Sequence, residues 1–137
     1  MIFIDTDIAI ALRDAHEATH RQVGALAEIP SLSQITRIEL ESGVNADPAL
    51  ARHRGRLLEI LLDTYPVEII TEADILAYGA IVRALGYDRR TTLDRLIAAQ
   101  AIARDATLIT RNGRDFRRIE GLKLVEWDPL WESAGKR

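Results

Sequence analysis

Three features of the sequence predict an α/β fold built on a parallel sheet with helices on both faces. Short, wholly apolar runs recur along the chain, beginning with Met1-Ile2-Phe3-Ile4. Such runs suit strands buried on both sides, whereas strands with one wet face alternate apolar and polar residues. Segments of helical apolar spacing alternate with them, most clearly 49–62, where Leu50, Leu57, Leu58, Leu61 and Leu62 share a face. Finally, 137 residues that are 47% apolar can form one core without staples. A chain of that length buries roughly two-thirds of its unfolded surface. A single domain over 1–130 and a short tail over 131–137 are expected.

The elements follow in order. Strand 1–4 is cut off by Asp5-Thr6-Asp7, and a helix over 8–12 follows, with Thr6 or Asp7 as its N-cap. A second helix spans 16–29, with Val23, Leu26 and Ala27 on one face. Residues 30–33 form a link or strand, and 35–44 a third helix. After helix 49–62, Pro66 introduces strand 67–70. Thr71 caps a helix over 72–85, which Gly86 closes. A polar loop at 86–91 leads into a very apolar helix at 93–104. Strand 107–110, a helical turn at 113–119 and strand 122–125 complete the pattern.

Composition excludes several classes. The absence of cysteine removes disulfides, thiolate zinc sites and a cysteine nucleophile. No apolar stretch reaches the ~18 residues needed to cross a bilayer, and the first residues lack the basic start of a signal peptide. A cytoplasmic location and no membrane partner are therefore expected. The formal net charge is -3, acidic for a general nucleic-acid binder. Its distribution is uneven: Lys123 and Lys136 are the only lysines, and nine arginines between Arg83 and Arg118 face four acids, Asp88, Asp94, Asp105 and Asp115. Arginine is the planar, bidentate donor for phosphate, although a solvated Arg-rich surface would look the same.

In open parallel sheets, ligands bind beyond the carboxyl ends of the strands. That rule directs attention to four acids. Asp5 follows four apolar residues, where a carboxylate is costly unless it is paired, capping or metal-bound. Glu39 lies on a face with Ile35, Ser42 and Gly43, and Asp94 opens the stripe that continues through Ile97, Ala98 and Ala101. Asp115 comes shortly after strand 107–110. Each has a structural alternative: Asp5 as an N-cap, and capping spacings at Thr36/Glu39, Thr91/Asp94 and Asn112/Asp115. Together they imply more than singly. Carboxylates gathered at one sheet edge raise one another's pKa, and a divalent cation relieves the repulsion. Oxygen-only ligation suits Mg2+ or Mn2+, ions that assist phosphoryl hydrolysis. Arginines around such a pocket, with Arg89, Arg90, Arg95, Arg111 and Arg114 as candidates, suit a phosphate polyanion. His16 and His20 have the i, i+4 spacing of metal ligands but no third partner, and are expected as a solvated pair. Trp127 and Trp131 are expected in packing or partner contacts.

Four blocks in this order, MIFIDTD, TRIELESG, DRLIAAQA and LITRNGRDF, resemble the PIN-domain ribonucleases. The likeness is to the VapC-type toxins of prokaryotic toxin–antitoxin pairs and runs from Met1 to about Trp127. It implies a three-layer α/β/α sandwich with a mostly parallel central sheet. By this resemblance the catalytic acids are Asp5, Glu39, Asp94 and Asp115, of which Asp5 and Asp94 hold Mg2+ or Mn2+. Thr6, Thr110 and Asn112 support the site. Asp7 stands where many members have Asn or Ser, and either adds a ligand or caps the helix. The resemblance further implies an RNA substrate, a cognate antitoxin, a homodimer, and DNA contact only through the antitoxin. Two other readings compete. One is a degenerate domain of the same kind that only binds. The other is a haloacid-dehalogenase-like phosphatase, since Asp5-Thr6-Asp7-Ile8-Ala9 resembles its D-x-D start. Against the latter, position 9 is Ala and only Lys123 and Lys136 could supply its lysine.

Overall fold

Strand β1 (Ile2–Ile4) is apolar on both sides because it runs through the middle of the sheet. The computed structural model describes residues 1–130; the expected tail 131–137, with Trp131 and Lys136, lies outside the described residues. On one side β1 pairs in parallel with β4 (Thr107–Thr110), Phe3 opposite Leu108, and β4 pairs in parallel with β5 (Lys123–Glu126). On the other side a parallel bridge from Phe3 to Ser31 leads to β2 (Leu32–Ser33), which pairs in parallel with β3 (Val67–Glu68). The strands therefore lie in the order β3-β2-β1-β4-β5, all parallel.

The helices are α1 (Thr6–Arg13), α2 (Glu17–Gly24), α3 (Gln34–Asn45), α4 (Ala51–Thr64), α5 (Glu72–Leu85) and α6 (Thr92–Ala103). Successive strand residues point to opposite faces, and the two cores divide accordingly. Ile4 and Ile109 meet Ile8 and Leu12 of α1, Val23 of α2, Leu40 of α3, and Leu58 and Leu61 of α4. Phe3 and Leu108 meet Ile81 of α5 and Ile97, Ala98 and Ala101 of α6. This is the expected α/β/α sandwich. Each fully buried Ile, Leu or Phe contributes about 1.5–3 kcal/mol.

Several boundaries differ from the sequence reading, each for a local reason. Helix α1 begins at Thr6 because Asp5, not Thr6 or Asp7, is its N-cap, accepting from the Thr6 N–H. Helix α2 stops at Gly24 rather than continuing to Ile29; Ala25 N donates to the Arg21 carbonyl and Leu26 N to the Val23 carbonyl, a tighter turn that closes the helix. Ser33 caps α3, so that helix starts at Gln34. Strand β3 ends at Glu68 because side-chain amides take over its backbone groups. Gln100 Nε2 donates to the carbonyls of Glu68 and Ile69, and Gln34 Oε1 accepts from Ile70 N. The turn after β4 is a 3-10 turn over Gly113–Asp115, shorter than the expected 113–119. His20 is exposed and His16 partly so, as expected, but each also has a local role. His16 caps α2, and His20 Nε2 lies 2.9 Å from the Leu12 carbonyl.

Candidate active site

Parallel pairing brings the ends of β1 and β4 together, and with them residues over a hundred positions apart in sequence. Asp5 N donates to the Ile109 carbonyl at 2.9 Å, which sets Asp5 beside Thr110. Asp5 Oδ1 accepts from Thr6 N and Oδ2 from the Thr110 hydroxyl, both at 2.8 Å. Asn112 N donates in turn to Thr110 Oγ1 at 2.9 Å. The cap and the functional reading of Asp5 are therefore not exclusive: the cap fixes the orientation of a carboxylate that is 5% exposed.

Glu39 reaches the same place from α3. The Thr6 hydroxyl donates to Glu39 Oε1 at 2.8 Å and lies 3.0 Å from the Thr36 hydroxyl. A hydroxyl has one proton, so Thr36 must be the donor to Thr6. The result is a directed chain from Thr36 through Thr6 to Glu39. The alternative Thr36/Glu39 capping box does not form, because α3 begins before Thr36. Sequence reasoning weighed Thr36 only as a cap; its position one helical turn before Glu39 was the available signal.

Asp94 lies in the first turn of α6. Thr91 makes no side-chain cap there and donates its hydroxyl to the Asp88 carbonyl instead. Asp115 is exposed and accepts from Asn112 Nδ2. The electrostatics join these groups. Burial pushes the Asp5 carboxyl up to about 6, against the lowering effect of its Thr110 and Thr6 hydrogen bonds; the charges of Asp7 and Glu39 add to the rise. Burial also pushes Asp94 up to about 7, followed by the charges of Asp5, Asp115, Glu39 and Asp7. Five acids thus act on one another at the carboxyl edge.

The arginines are placed unequally. Arg89 and Arg90 are exposed in the 3-10 turn (Arg89–Thr91) ahead of α6, and Arg90 pairs with Asp88. Arg95 is buried, with Nη1 2.6 Å from the Gly86 carbonyl, where it braces the α5–α6 connection. Arg111 and Arg114 line a cavity that Asp7 and Asn112 also line, together with Arg117, which the sequence reading passed over. Its spacing of three from Arg114 was the available signal. Lys123 pairs with Asp105 at the opposite, amino edge of the sheet, out of reach of Asp5 as a phosphatase lysine.

Among the described residues, no three His, Asp or Glu side chains close on one point as a ready-made cage. Mg2+ does not require one: it is ordinarily held by one or two carboxylates, with waters completing its octahedron. The oxygen-only donor set around Asp5 and Asp94 fits that ion, or Mn2+, and does not fit a thiolate- or imidazole-seeking metal.

Comparison with known proteins gives a consistent result. A family model described as PIN domain matches residues 2–122. A curated relative from Rickettsia felis, ribonuclease VapC2, is 28% identical over 132 residues, covering 91% of this chain and 96% of the relative. The solved structure of VapBC2 from Rickettsia felis, bound to a DNA fragment from its promoter, contains a chain 28% identical to this one. It superposes with a TM-score of 0.80, covering 93% of this chain and 100% of that one. VapBC-1 from nontypeable Haemophilus influenzae contains a chain 26% identical with a TM-score of 0.77, covering 93% and 98%.

Proposed function

The chain belongs to the PIN-domain family, and from that premise we propose that it is a divalent-metal-dependent endoribonuclease, the toxin of a VapBC-type toxin–antitoxin pair. The observation that carries the reading is the state of Asp5: nearly buried, with neutral donors on both oxygens, no ion-pair partner among the described residues, and the Asp7 and Glu39 charges acting on it. Such a site lacks a counter-charge. Asp5 and Asp94 are the proposed ligands of Mg2+ or Mn2+, and Glu39 and Asp115 the further catalytic acids. Thr6, Thr110 and Asn112 orient them, and Asp7 supplements the charge. When bound, the ion stabilises phosphodiester charge and lowers the pKa of water at the site.

The chain's own residues do the rest. Thr110 and Thr6 N hold Asp5 in one orientation, so no rotamer search accompanies ion binding. Thr6 ties up one Glu39 oxygen and leaves the other to accept a proton. Asn112 restrains Asp115 at the rim. Exposed arginines on the same edge, Arg89 and Arg114, attract the RNA backbone. No histidine pair serves as acid and base, which favours hydrolysis over attack by the ribose 2'-hydroxyl.

Neutralisation by a cognate antitoxin, a homodimeric state and DNA contact through the antitoxin complete the proposal. They rest on the likeness to the VapBC complexes. The helices include none long and apolar enough to cross a membrane among the described residues, in keeping with a cytoplasmic role.

The test is cleavage of a mixed RNA pool by purified protein with Mg2+ or Mn2+, with EDTA, and with Asp5→Asn as the matched control. Cleavage that requires both the ion and Asp5, and leaves no 2',3'-cyclic phosphate, is expected. Cleavage that survives EDTA would sink the reading, and loss of both cleavage and ion binding would favour a domain that only binds.

A further inference from the structure

Beside the acid cluster lies a cavity of about 680 Å3. Its walls come from segments that leave the carboxyl ends of three adjacent strands. Asp7 and Ile10 belong to α1 after β1; Arg111, Arg114 and Arg117 follow β4; Leu130 follows β5. The cavity therefore opens on the same sheet edge as Asp5 and Asp94.

Arg111 is the unusual wall. It is 8% exposed, yet of its five N–H donors the described contacts engage only one nitrogen, Nη2, which donates to Gln22 Oε1 at 2.5 Å. Its guanidinium carbon stands 5.4 Å from the centre of the Trp127 ring. Nε and Nη1 are buried without a hydrogen-bond partner. A desolvated cation without a bound carboxylate is costly, and a cation–π contact offsets only part of that cost. The fold keeps this charge beside a cavity, where the Asp7 carboxylate acts on it without an ion-pair contact and an anion would complete its counter-charge. Exposed Arg114 adds a second guanidinium, and Arg117, paired with Glu126 at 2.6 Å, stands behind it.

The other walls decide which anion. Ile10 and Leu130 give the cavity an apolar side, which a bare phosphate does not need and a nucleobase does. Asp7 limits how much negative charge the cavity accepts, which favours a single phosphate over a run of acidic side chains. We propose that this cavity is a nucleotide subsite, seating the residue next to the scissile bond of an RNA strand with its phosphate toward Arg111 and Arg114 and its base against Ile10 and Leu130. The proposal rests on the ribonuclease reading for its substrate class. Binding, however, needs neither metal nor turnover.

Calorimetric titration in EDTA, with CMP, cytidine and inorganic phosphate as separate probes, tests it. CMP should bind at one site, at least tenfold more tightly than cytidine or phosphate alone. The same result is expected with Asp5→Asn. Truncating buried Arg111 risks the fold, so exposed Arg114 carries the mutational test. Arg114→Ala, with an unchanged melting temperature, should weaken CMP at least tenfold, and Arg52→Ala on α4 should not. CMP binding in a protein that never cleaves RNA would keep the subsite and overturn the proposed catalysis instead. Equal affinity for CMP and phosphate, or indifference to Arg114→Ala, would overturn the subsite. So would absent CMP binding together with release of a co-expressed partner protein by Arg114→Ala, which would assign the cavity to a protein.

Discussion

Asp74 and Asp5 are both withdrawn from water, and their surroundings treat them in opposite ways. Asp74, 1% exposed in the first turn of α5, meets Arg104 Nη1 at 2.6 Å and accepts from Thr71 N at 2.8 Å. Arg104 Nη2 also donates to the Ile69 carbonyl, so the pair fastens α5, α6 and the end of β3 together. Asp5, 5% exposed, receives only neutral donors among the described residues, and the Asp7 and Glu39 charges bear on it. A carboxylate that serves the fold carries its counter-charge within the chain. One that lacks it is where the proposed cation would bind.

The largest test of this contrast removes each acid in turn. Asp74→Ala removes the partner of the partly exposed Arg104 and the capping box of α5, and should cost roughly 2–4 kcal/mol in urea unfolding. Asp5→Asn, measured in EDTA, should lose little stability or gain some, because it removes repulsion. Equal losses for the two variants would erase the distinction. Next comes pH. The folded-state pKa values of Asp5 and Asp94, about 6 and about 7, lie above the unfolded value of 3.8. Their protonated forms therefore favour folding. That contribution is fully present below the unfolded pKa and is lost as pH rises through 6 to 7. Ion-free protein should lose roughly 1–3 kcal/mol between pH 5 and pH 8, Asp94 counting for less than its shift implies because it is only half-buried. A stability that stays level over this range, followed by thermal melts in EDTA, would contradict the assignment of charge.

Smaller again is ion-linked stabilisation. Mg2+ at ten times its Kd should add about 1.4 kcal/mol at pH 8 and less at pH 5.5, where protons compete for the same oxygens. A melt insensitive to Mg2+ at both pH values would count against the site. The smallest effect concerns Thr36. Thr36→Val removes the donor to Thr6 and should cost about 1 kcal/mol, with an order-of-magnitude fall in kcat rather than a rise in KM. Thr36→Ser should restore most of it. Activity unchanged in Thr36→Val would reduce the chain Thr36–Thr6–Glu39 to a packing detail.

Much of this was legible from residue order alone. The double-sided apolar strands, the helix over Glu72–Leu85 with Gly86 at φ 85°, and the sheet-edge rule all lie in local pattern. So did the gathering of the acids. The partners of those acids were not legible. Asp5 and Thr110 meet through strand register, and Thr6 meets Glu39 through the packing of α1 on α3, neither of which has a local signature. Arginine roles were the least readable. Arg95 and Arg114 look alike in sequence, yet one braces a backbone carbonyl and the other lines a cavity. Local cap spacing misled for the same reason. Thr36 fits a capping pattern, but the packing of α1 on α3 gave its hydroxyl Thr6 as partner, while Thr91 and Asn112 turned to the local partners Asp88 and Asp115 without capping.

The hydrogen bond from Thr110 to Asp5 spans 105 positions. During synthesis the first strand leaves the ribosome long before its neighbour β4 exists. At ~5–20 residues per second, the wait lasts on the order of 5–20 s. Through that interval Asp5 has no hydroxyl to hold it, and β1 has an unpaired edge. An mRNA broken ahead of the Thr107 codon therefore yields a chain that cannot assemble the acid edge at all. The acid edge is thus completed late in translation, only once β4 has joined β1.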